Sequence, residues 1–307
     1  MSKKDSLKVL TIANSFTDSL AAFWQQIVES AGCELHFERA NHGGCELHRH
    51  WSYINNEEKD NVYRMYQGYQ YKMREVLTKE PWDIVTIQQA SHCSWRYHTF
   101  QPFADLIHDY VREYAPQAEI VIQQTWAYRN DDPRLFDEWK YPEEAIEKAA
   151  GMGVTLPTES FKIGQDGMYR ELTKSYLTLA EKHNLRIIPT GYAVQLTREN
   201  DPKPFVNYDQ SLMETLRWPD MPSQAGDVVG KHYWRKDQET GEMKLGRDTI
   251  HFNERGQYLQ ACVWFGFLYE RPVSEVTYVP NMISDSDAAF LREMAQQAID
   301  NFKQVKK

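Results

Sequence analysis

Apolar runs alternate with helical spacing of apolar residues along most of the chain. Short segments bounded by polar and turn-forming residues predict five strands. Residues 8–13, 83–87, 119–122 and 185–189 are apolar runs, and residues 33–39 alternate between apolar and polar positions. Helical spacing predicts helices at residues 20–31, 60–78, 103–114, 162–183, 253–269 and 284–304. This alternation predicts an α/β fold, a three-layer α/β/α sandwich around a central, mainly parallel, five-stranded sheet.

Two segments interrupt the alternation. Residues 127–157 and 200–247 are rich in Pro, Asp, Gly and Trp, and we interpret them as loop insertions beside the functional edge of the sheet. The second contains a predicted hairpin, with strands at 232–235 and 242–245. Repeats and interdomain linkers are not evident, so the sequence predicts a single domain over residues 1–307 that is closed by the last helix.

The charge balance excludes some classes of partner. The net charge is −9 and the basic residues form no block, which argues against nucleic acid and anionic membranes as partners. The longest apolar runs are too short for a transmembrane helix, which needs about 20 residues. As written, the sequence has no signal segment and predicts a cytoplasmic protein, or a secreted or periplasmic one if such a segment is missing. The four scattered cysteines are expected to be free thiols.

Two short segments carry candidate chemistry. The first predicted strand delivers Ser15 where a helix should begin, and Asp248-x-x-His251 precedes the helix at 253–269. A serine becomes a nucleophile when a base accepts its proton and a third group orients that base. Taken alone, Ser15 is more often a helix cap and His251 a surface histidine, so the pair acquires weight only from its context.

That context resembles a known family. Lys8–Asp18 is similar to the first block of the SGNH (GDSL-type) hydrolases, with Ala13-Asn14-Ser15-Phe16 in place of the usual Gly-Asp-Ser, and Asp248–Gly256 is similar to the last block. Asn41–Gly44 resembles the glycine block. The resemblance implies the flavodoxin-like SGNH fold and a Ser15–His251–Asp248 triad, in an atypical and uncharacterised branch.

The block after the third strand departs from the family pattern. Ile87-Gln88-Gln89-Ala90-Ser91-His92 stands where SGNH enzymes have Gly-x-Asn-Asp, whose Asn side chain donates to the oxyanion. The resemblance implies an oxyanion hole built from the backbone N–H groups of Ser15 and Gly44 and a side-chain amide. We expect Gln89 to supply that amide, with Gln88 and Ser91 as rivals. The expected substrate pocket comprises Asn14, His42, Gly43, Gln88, Ser91, Trp95 and Trp126.

The resemblance implies a serine esterase that hydrolyses small acyl (acetyl-type) esters without a cofactor. Loop tryptophans and arginines are compatible with an acylated sugar as the small-molecule substrate. A non-catalytic SGNH-like protein that binds carbohydrates or small molecules stays open as the alternative, because the oxyanion block is atypical. His48-x-His50 invites a metal site, but its spacing fits zinc poorly, and we predict none. The sequence leaves the oligomeric state open.

Overall fold

A five-stranded parallel sheet forms the centre of the computed structural model, which describes residues 4–302. The spatial order of the strands is β2-β1-β3-β4-β5. The strands are β1 (Ser6–Ile12), β2 (Glu34–Arg39), β3 (Ile84–Ile87), β4 (Glu119–Gln123) and β5 (Arg186–Ile188). Strand β1 pairs with β2 and β3, so Thr11 lies beside Arg39 and Ile12 beside Ile87. The carboxyl ends of these strands therefore meet at one edge, as predicted.

Helices cover both faces of the sheet. They are α1 (Ser15–Asp18), α2 (Trp24–Ser30), α3 (Leu47–Lys59), α4 (Met73–Thr78), α5 (Ser91–Ser94), α6 (Phe103–Tyr114), α7 (Glu143–Gly151), α8 (Gln165–His183), α9 (Thr190–Asn200), α10 (Gln210–Thr215), α11 (Glu254–Tyr269) and α12 (Asp285–Asn301). The sheet grows in opposite directions from β1, so right-handed crossovers place α2 on one face and α3, α4, α6 and α8 on the other. Contacts with α2 and with one another place α9, α11 and α12 on the α2 face. The predicted α/β sandwich is confirmed.

A two-stranded hairpin lies outside the central sheet. Its antiparallel strands are β6 (Val229–Lys236) and β7 (Met243–Phe252), which confirms the predicted hairpin and lengthens both strands. The Asp248-x-x-His251 motif lies in the last part of β7. Helix α11 begins directly after this strand, and the Asn253 side chain caps it by accepting from the N–H of Gly256.

The helix predicted at residues 60–78 is wrong over most of its length. The histidine-rich segment before it is helical instead, as α3, and only α4 remains of the prediction. The wholly buried Glu57 explains the break, because its carboxylate accepts hydrogen bonds from the backbone N–H groups of Met65 and Met73. The Lys72 ammonium donates to the carbonyls of Glu57 and Asp60. These contacts bend the chain where its apolar spacing favours a continuous helix.

The first helical segment also differs from its prediction. A single helix was expected at residues 20–31 with Asp18 or Ser19 as its cap, but helix begins at Ser15 with Asn14 as its cap. A 3-10 turn over Ser19–Ala22 then separates α1 from α2. The two inferred insertions contain α7 and α10, and α9 lies in a segment without a predicted element. Of the predicted last helix, residues 303–304 lie outside the described residues.

Aromatic side chains fill much of the core. Trp24, Trp82, Trp126 and Trp264 are wholly buried. All four cysteines are free thiols, as expected. None of the helices within residues 4–302 combines the length and the apolar character needed to cross a membrane.

Candidate active site

Ser15 is the first residue of α1 and lies just beyond the carboxyl end of β1. Its Oγ lies 2.9 Å from Nε2 of His251, although 236 residues separate the two in the chain. The fold thus brings together the serine and the histidine that the sequence singled out.

Asp248 orients that histidine. Its Oδ2 lies 2.8 Å from Nδ1 of His251, and its Oδ1 accepts from the backbone N–H groups of Ile250 and His251 at 2.9 Å each. Burial acts to raise the pKa of Asp248, but the hydrogen bonds from the His251 ring and from the two N–H groups outweigh it and lower that pKa. An ionised carboxylate can only accept, so Nδ1 of His251 carries a proton and Nε2 is left to accept from the Ser15 hydroxyl.

The three candidate groups are partly exposed to solvent. The His251 side chain is 40% exposed and that of Asp248 is 29% exposed, while Ser15 is half-buried.

A stack of three aromatic rings supports the strand that carries His251. The Trp126 ring lies between Phe16 and Phe252, with centroid distances of 4.0 and 3.6 Å. Its indole N–H donates to the carbonyl of Ile250 at 2.8 Å. The sequence placed Trp126 in the substrate pocket, but the side chain is wholly buried and serves instead to support β7.

Trp95 is the second predicted pocket residue that is removed from solvent. It is 5% exposed and packs edge-on against Trp139, in the segment interpreted as the first insertion, and against Phe161, which follows that segment. The prediction failed for both tryptophans because rings from distant parts of the chain cover them, and sequence spacing does not reveal that coverage.

Backbone N–H groups at Ser15 and in the neighbouring glycine loop lack a partner in the described part of the chain. Within residues 4–302, the N–H groups of Ser15, Gly43 and Gly44 have no hydrogen-bond acceptor. The loop of Gly44 is attached to the serine segment, because the N–H of His42 donates to the Ala13 carbonyl and the Asn14 amide donates to the Cys45 carbonyl. Gly44 adopts a φ of +59°, a conformation that favours glycine. These N–H groups are the available donors for an oxyanion.

The predicted side-chain donors are committed elsewhere. The Gln89 amide donates to the carbonyl and hydroxyl oxygens of Thr99 at 3.2 and 3.3 Å, so the expectation that it faces the oxyanion is not met. The Gln88 amide donates to Oδ1 of Asn14 at 2.7 Å. The Ser91 hydroxyl is bonded to the Tyr128 hydroxyl at 3.0 Å. Burial forces each of these groups to find a partner inside the protein.

A polar cavity of about 290 Å³ lies at the β2 side of the site. It includes His42, which the sequence placed in the substrate pocket, and the adjacent Gly43 lies in the same loop. The cavity is lined by Asp18, Arg39, Asn41, His42, Met65, Gln67, Gly68 and Tyr69. Such a lining suits a ligand with hydroxyl or other polar groups better than an acyl chain of a lipid.

The histidines of the suspected metal motif have other partners. His50 is wholly buried between the Ala13 carbonyl, at 2.9 Å from Nε2, and the Tyr66 hydroxyl, at 3.2 Å from Nδ1. Burial lowers the pKa of His50 to about 4, so the ring is neutral and Nε2 donates to Ala13. Among the residues that the structure describes, His, Cys, Asp and Glu form no group of three or more that could hold a metal ion.

Sequence reasoning missed three polar residues around the nucleophile. Besides His50, the amides of Gln123 and Gln260 reach the carbonyl of Phe16. The available signal was a single glutamine at the end of the buried strand β4 and another within the apolar helix α11. A polar residue at a fully buried position needs a partner, and here that partner is the serine segment.

Comparisons with known proteins agree with this architecture. Residues 8–149 match the model of a family described as a domain of unknown function, DUF4886. No curated protein matches the sequence. A DUF4886 family protein from Bacteroides uniformis superposes with a TM-score of 0.66 at 22% identity, over 97% of this chain and 96% of that one. The chain has the fold of a DUF4886 protein.

Two further solved structures align less well. A protein from Slackia heliotrinireducens, provisionally described as an SGNH hydrolase, has a TM-score of 0.43 at 16% identity, over 86% of this chain and 98% of that one. A protein from Parabacteroides merdae, provisionally described as a GDSL-like lipase, has a TM-score of 0.40 at 12% identity, over 86% and 96%. The superposition on the Bacteroides uniformis protein confirms the predicted α/β fold.

Proposed function

We propose that this protein is a serine esterase that hydrolyses small acyl (acetyl-type) esters. The observation that carries the proposal is the pair of hydrogen bonds in series, 2.9 Å from Ser15 Oγ to His251 Nε2 and 2.8 Å from His251 Nδ1 to Asp248 Oδ2. Serine, base and orienting acid in this relation are the arrangement that activates a hydroxyl. A serine that merely capped a helix would need no such base, and here Asn14 is the cap.

The proposed reaction has two acyl-transfer steps. Nε2 of His251 accepts the Ser15 proton as Oγ attacks the ester carbonyl, and the resulting imidazolium then protonates the leaving alcohol. Water, activated by the same nitrogen, releases the acid from the acyl-enzyme. The Asp248 carboxylate stays ionised and stabilises the imidazolium in both steps.

The N–H groups of Ser15 and Gly44 are the proposed oxyanion donors. Developing negative charge on the carbonyl oxygen is stabilised by donors that are already in place, and one donor is worth about 10²–10³-fold in turnover. Support comes from the absence of any acceptor for these two groups within residues 4–302.

An acylated sugar or a similarly polar ester is the proposed substrate. The cavity beside the site exposes Arg39, Asn41 and Gln67, which can hydrogen-bond hydroxyl groups. A small acetyl-type acyl group fits the polar lining of this cavity better than a long chain.

Covalent labelling with a fluorophosphonate and hydrolysis of p-nitrophenyl esters from acetyl to octanoyl test the proposal. We expect labelling and acetyl ester hydrolysis in the native protein, and loss of both in Ser15→Ala and His251→Ala. Ser175→Ala is the matched control, because its hydroxyl is also hydrogen-bonded but to the Glu171 carbonyl in α8. Absence of labelling and of ester turnover in the native protein would contradict the proposal.

A non-catalytic binding protein is the second candidate. The observation that favours it is the commitment of the Gln89 amide to Thr99, which leaves the site without the side-chain donor of the SGNH pattern. This candidate predicts that the native protein binds acetylated sugars without hydrolysing them and does not react with the fluorophosphonate.

A further inference from the structure

We propose that Gln88, Gln123 and Gln260, here called the glutamine cluster, are positioning residues that hold the two oxyanion N–H groups in place. The inference rests on the proposed esterase function and deepens it. In place of a side chain that donates to the oxyanion, this protein has buried amides that fix the backbone donors from behind.

The cluster attaches to the residue that follows the nucleophile. The carbonyl oxygen of Phe16 accepts from the Gln260 amide at 2.8 Å and from the Gln123 amide at 3.3 Å. The Ser19 hydroxyl donates to Oε1 of Gln260 at 2.5 Å and lies 3.1 Å from the same carbonyl oxygen. Two amide donors restrict the rotation of this carbonyl, so the backbone of α1 is held one residue beyond Ser15.

The peptide that carries the Ser15 N–H is fixed as well. Its carbonyl belongs to Asn14 and accepts from the N–H groups of Thr17 and Asp18 at 2.9 and 3.3 Å. Because a trans peptide points its N–H away from its C=O, these bonds aim the Ser15 N–H outward. The next N–H, that of Phe16, is held by Oδ1 of Asn14 at 3.1 Å.

Gln88 links both oxyanion loops through Asn14. Its amide donates to Oδ1 of Asn14 at 2.7 Å, and the Asn14 amide in turn donates to the carbonyl of Cys45 at 3.0 Å, next to Gly44. A displacement of Gln88 would therefore move the Ser15 loop and the Gly44 loop together.

The hydrogen bonds of the glutamine cluster fix the orientation of its amide groups. Both Gln123 N–H groups are used, on Phe16 and on Oε1 of Gln88, and both Gln260 N–H groups are used, on Phe16 and on Oε1 of Gln123. Oε1 of Gln88 also accepts from the Thr17 hydroxyl at 2.6 Å. Since all three glutamines are at most 1% exposed, water cannot replace a lost partner, and the network acts as one unit.

Gln124, which directly follows β4, offers a matched control. Gln124 is also wholly buried, but its amide donates to the Thr173 hydroxyl and its Oε1 accepts from the N–H of Tyr192. Gln123→Met and Gln124→Met each keep side-chain volume and remove a buried amide. Only the first removes a contact with the serine segment.

We expect both variants to unfold at a lower temperature than the native protein, and only Gln123→Met to lose turnover. The kcat of Gln123→Met for acetyl esters should fall at least tenfold, with KM and the shape of the pH–rate profile unchanged, because the donors are displaced while His251 is not. Gln260→Met is the second variant, to be measured if Gln123→Met does not fold, with the same expectation.

The outcomes separate this inference from the proposed function. An active native protein together with a native kcat in a folded Gln123→Met or Gln260→Met overturns the inference alone. Equal losses of kcat in Gln123→Met and Gln124→Met also overturn it, since they would reflect general destabilisation. If the native protein neither reacts with the fluorophosphonate nor hydrolyses esters, the proposed function fails and the inference falls with it.

Discussion

The indole N–H of Trp126 holds the carbonyl of Ile250 at 2.8 Å, immediately before His251 in the chain. The ring that makes this bond is stacked between Phe16, which follows Ser15, and Phe252, which follows His251. The buried Trp126 side chain therefore contacts residues adjacent in the chain to both Ser15 and His251.

Replacing this tryptophan tests whether the contact supports the histidine. Trp126→Phe keeps an aromatic ring in the stack but leaves the Ile250 carbonyl without its donor, which we expect to cost about 1–3 kcal/mol of stability. Ester turnover should fall as well, because the strand that carries His251 loses its support. Trp82→Phe is the control. Trp82 is also wholly buried, but its indole N–H donates to the Val76 carbonyl of α4 and not to β7. Thermal unfolding and kcat should both change in the first variant, and only unfolding in the second.

Asp248, the acid of the proposed triad, can be compared with Asp237 of the same hairpin. Asp248 and Asp237 each accept hydrogen bonds from two backbone N–H groups that follow them, but only Asp248 bonds to His251. Asp248→Asn should lower kcat by about 10⁴-fold, because an amide no longer enforces the tautomer in which Nε2 accepts. Asp237→Asn should leave kcat unchanged. Steady-state kinetics on acetyl esters decides, and equal activities of the two variants would remove Asp248 from the mechanism.

Gly44 can be tested against a glycine of similar geometry. Gly44 and Gly32 have φ values of +59° and +71°, and a Cβ on either would meet nothing within 4 Å. Alanine at either position should cost roughly 1–2 kcal/mol, because only the backbone conformation is strained. We expect Gly44→Ala alone to lower kcat, by up to about 10²–10³-fold, since it displaces an oxyanion N–H. A native kcat in Gly44→Ala would argue that its N–H plays no part.

Glu57 predicts a specific dependence of stability on pH. Burial raises the pKa of Glu57 from 4.5 to about 7, despite the hydrogen bonds from Met73 and Met65 that act to lower it. Between these two values the folded protein keeps a proton that the unfolded chain releases, so stability falls as the pH rises from 4.5 to 7. Glu57→Gln lacks this titration. As the pH rises across this range, the free energy of unfolding of the native protein should therefore fall relative to that of the variant. Denaturant unfolding measured at several pH values gives the difference, and a constant difference would contradict the prediction.

Much of the fold follows from sequence because its signals are local. Four of the five strands are short, largely buried apolar runs and β2 alternates, and α11 and α12 have capping residues, Asn253 and Ser284, in front of periodic apolar residues. The region after β2 was mispredicted because its structure depends on Glu57, whose partners lie 8 and 16 residues further along the chain. Apolar spacing contains no information about such a contact.

The candidate site was partly predictable for the same reason. Ser15, His251 and Asp248 were found because their local motifs match family blocks, and the geometry brings them together. The assignment to Gln89 failed because two adjacent buried glutamines are equivalent in sequence, and only packing decides which oxygen or amide each one meets. The burial of Trp95 and Trp126 depends in the same way on contacts with rings from distant parts of the chain.

The distance of 236 residues between Ser15 and His251 has a consequence for biosynthesis. A ribosome that has made the region matched by the DUF4886 family model, residues 8–149, has produced Ser15 and the Gly44 loop but neither Asp248 nor His251. The proposed triad would therefore form only when β7 emerges and docks against a sheet that is already complete. Under the proposed function, chains that terminate before Asp248 would be inert.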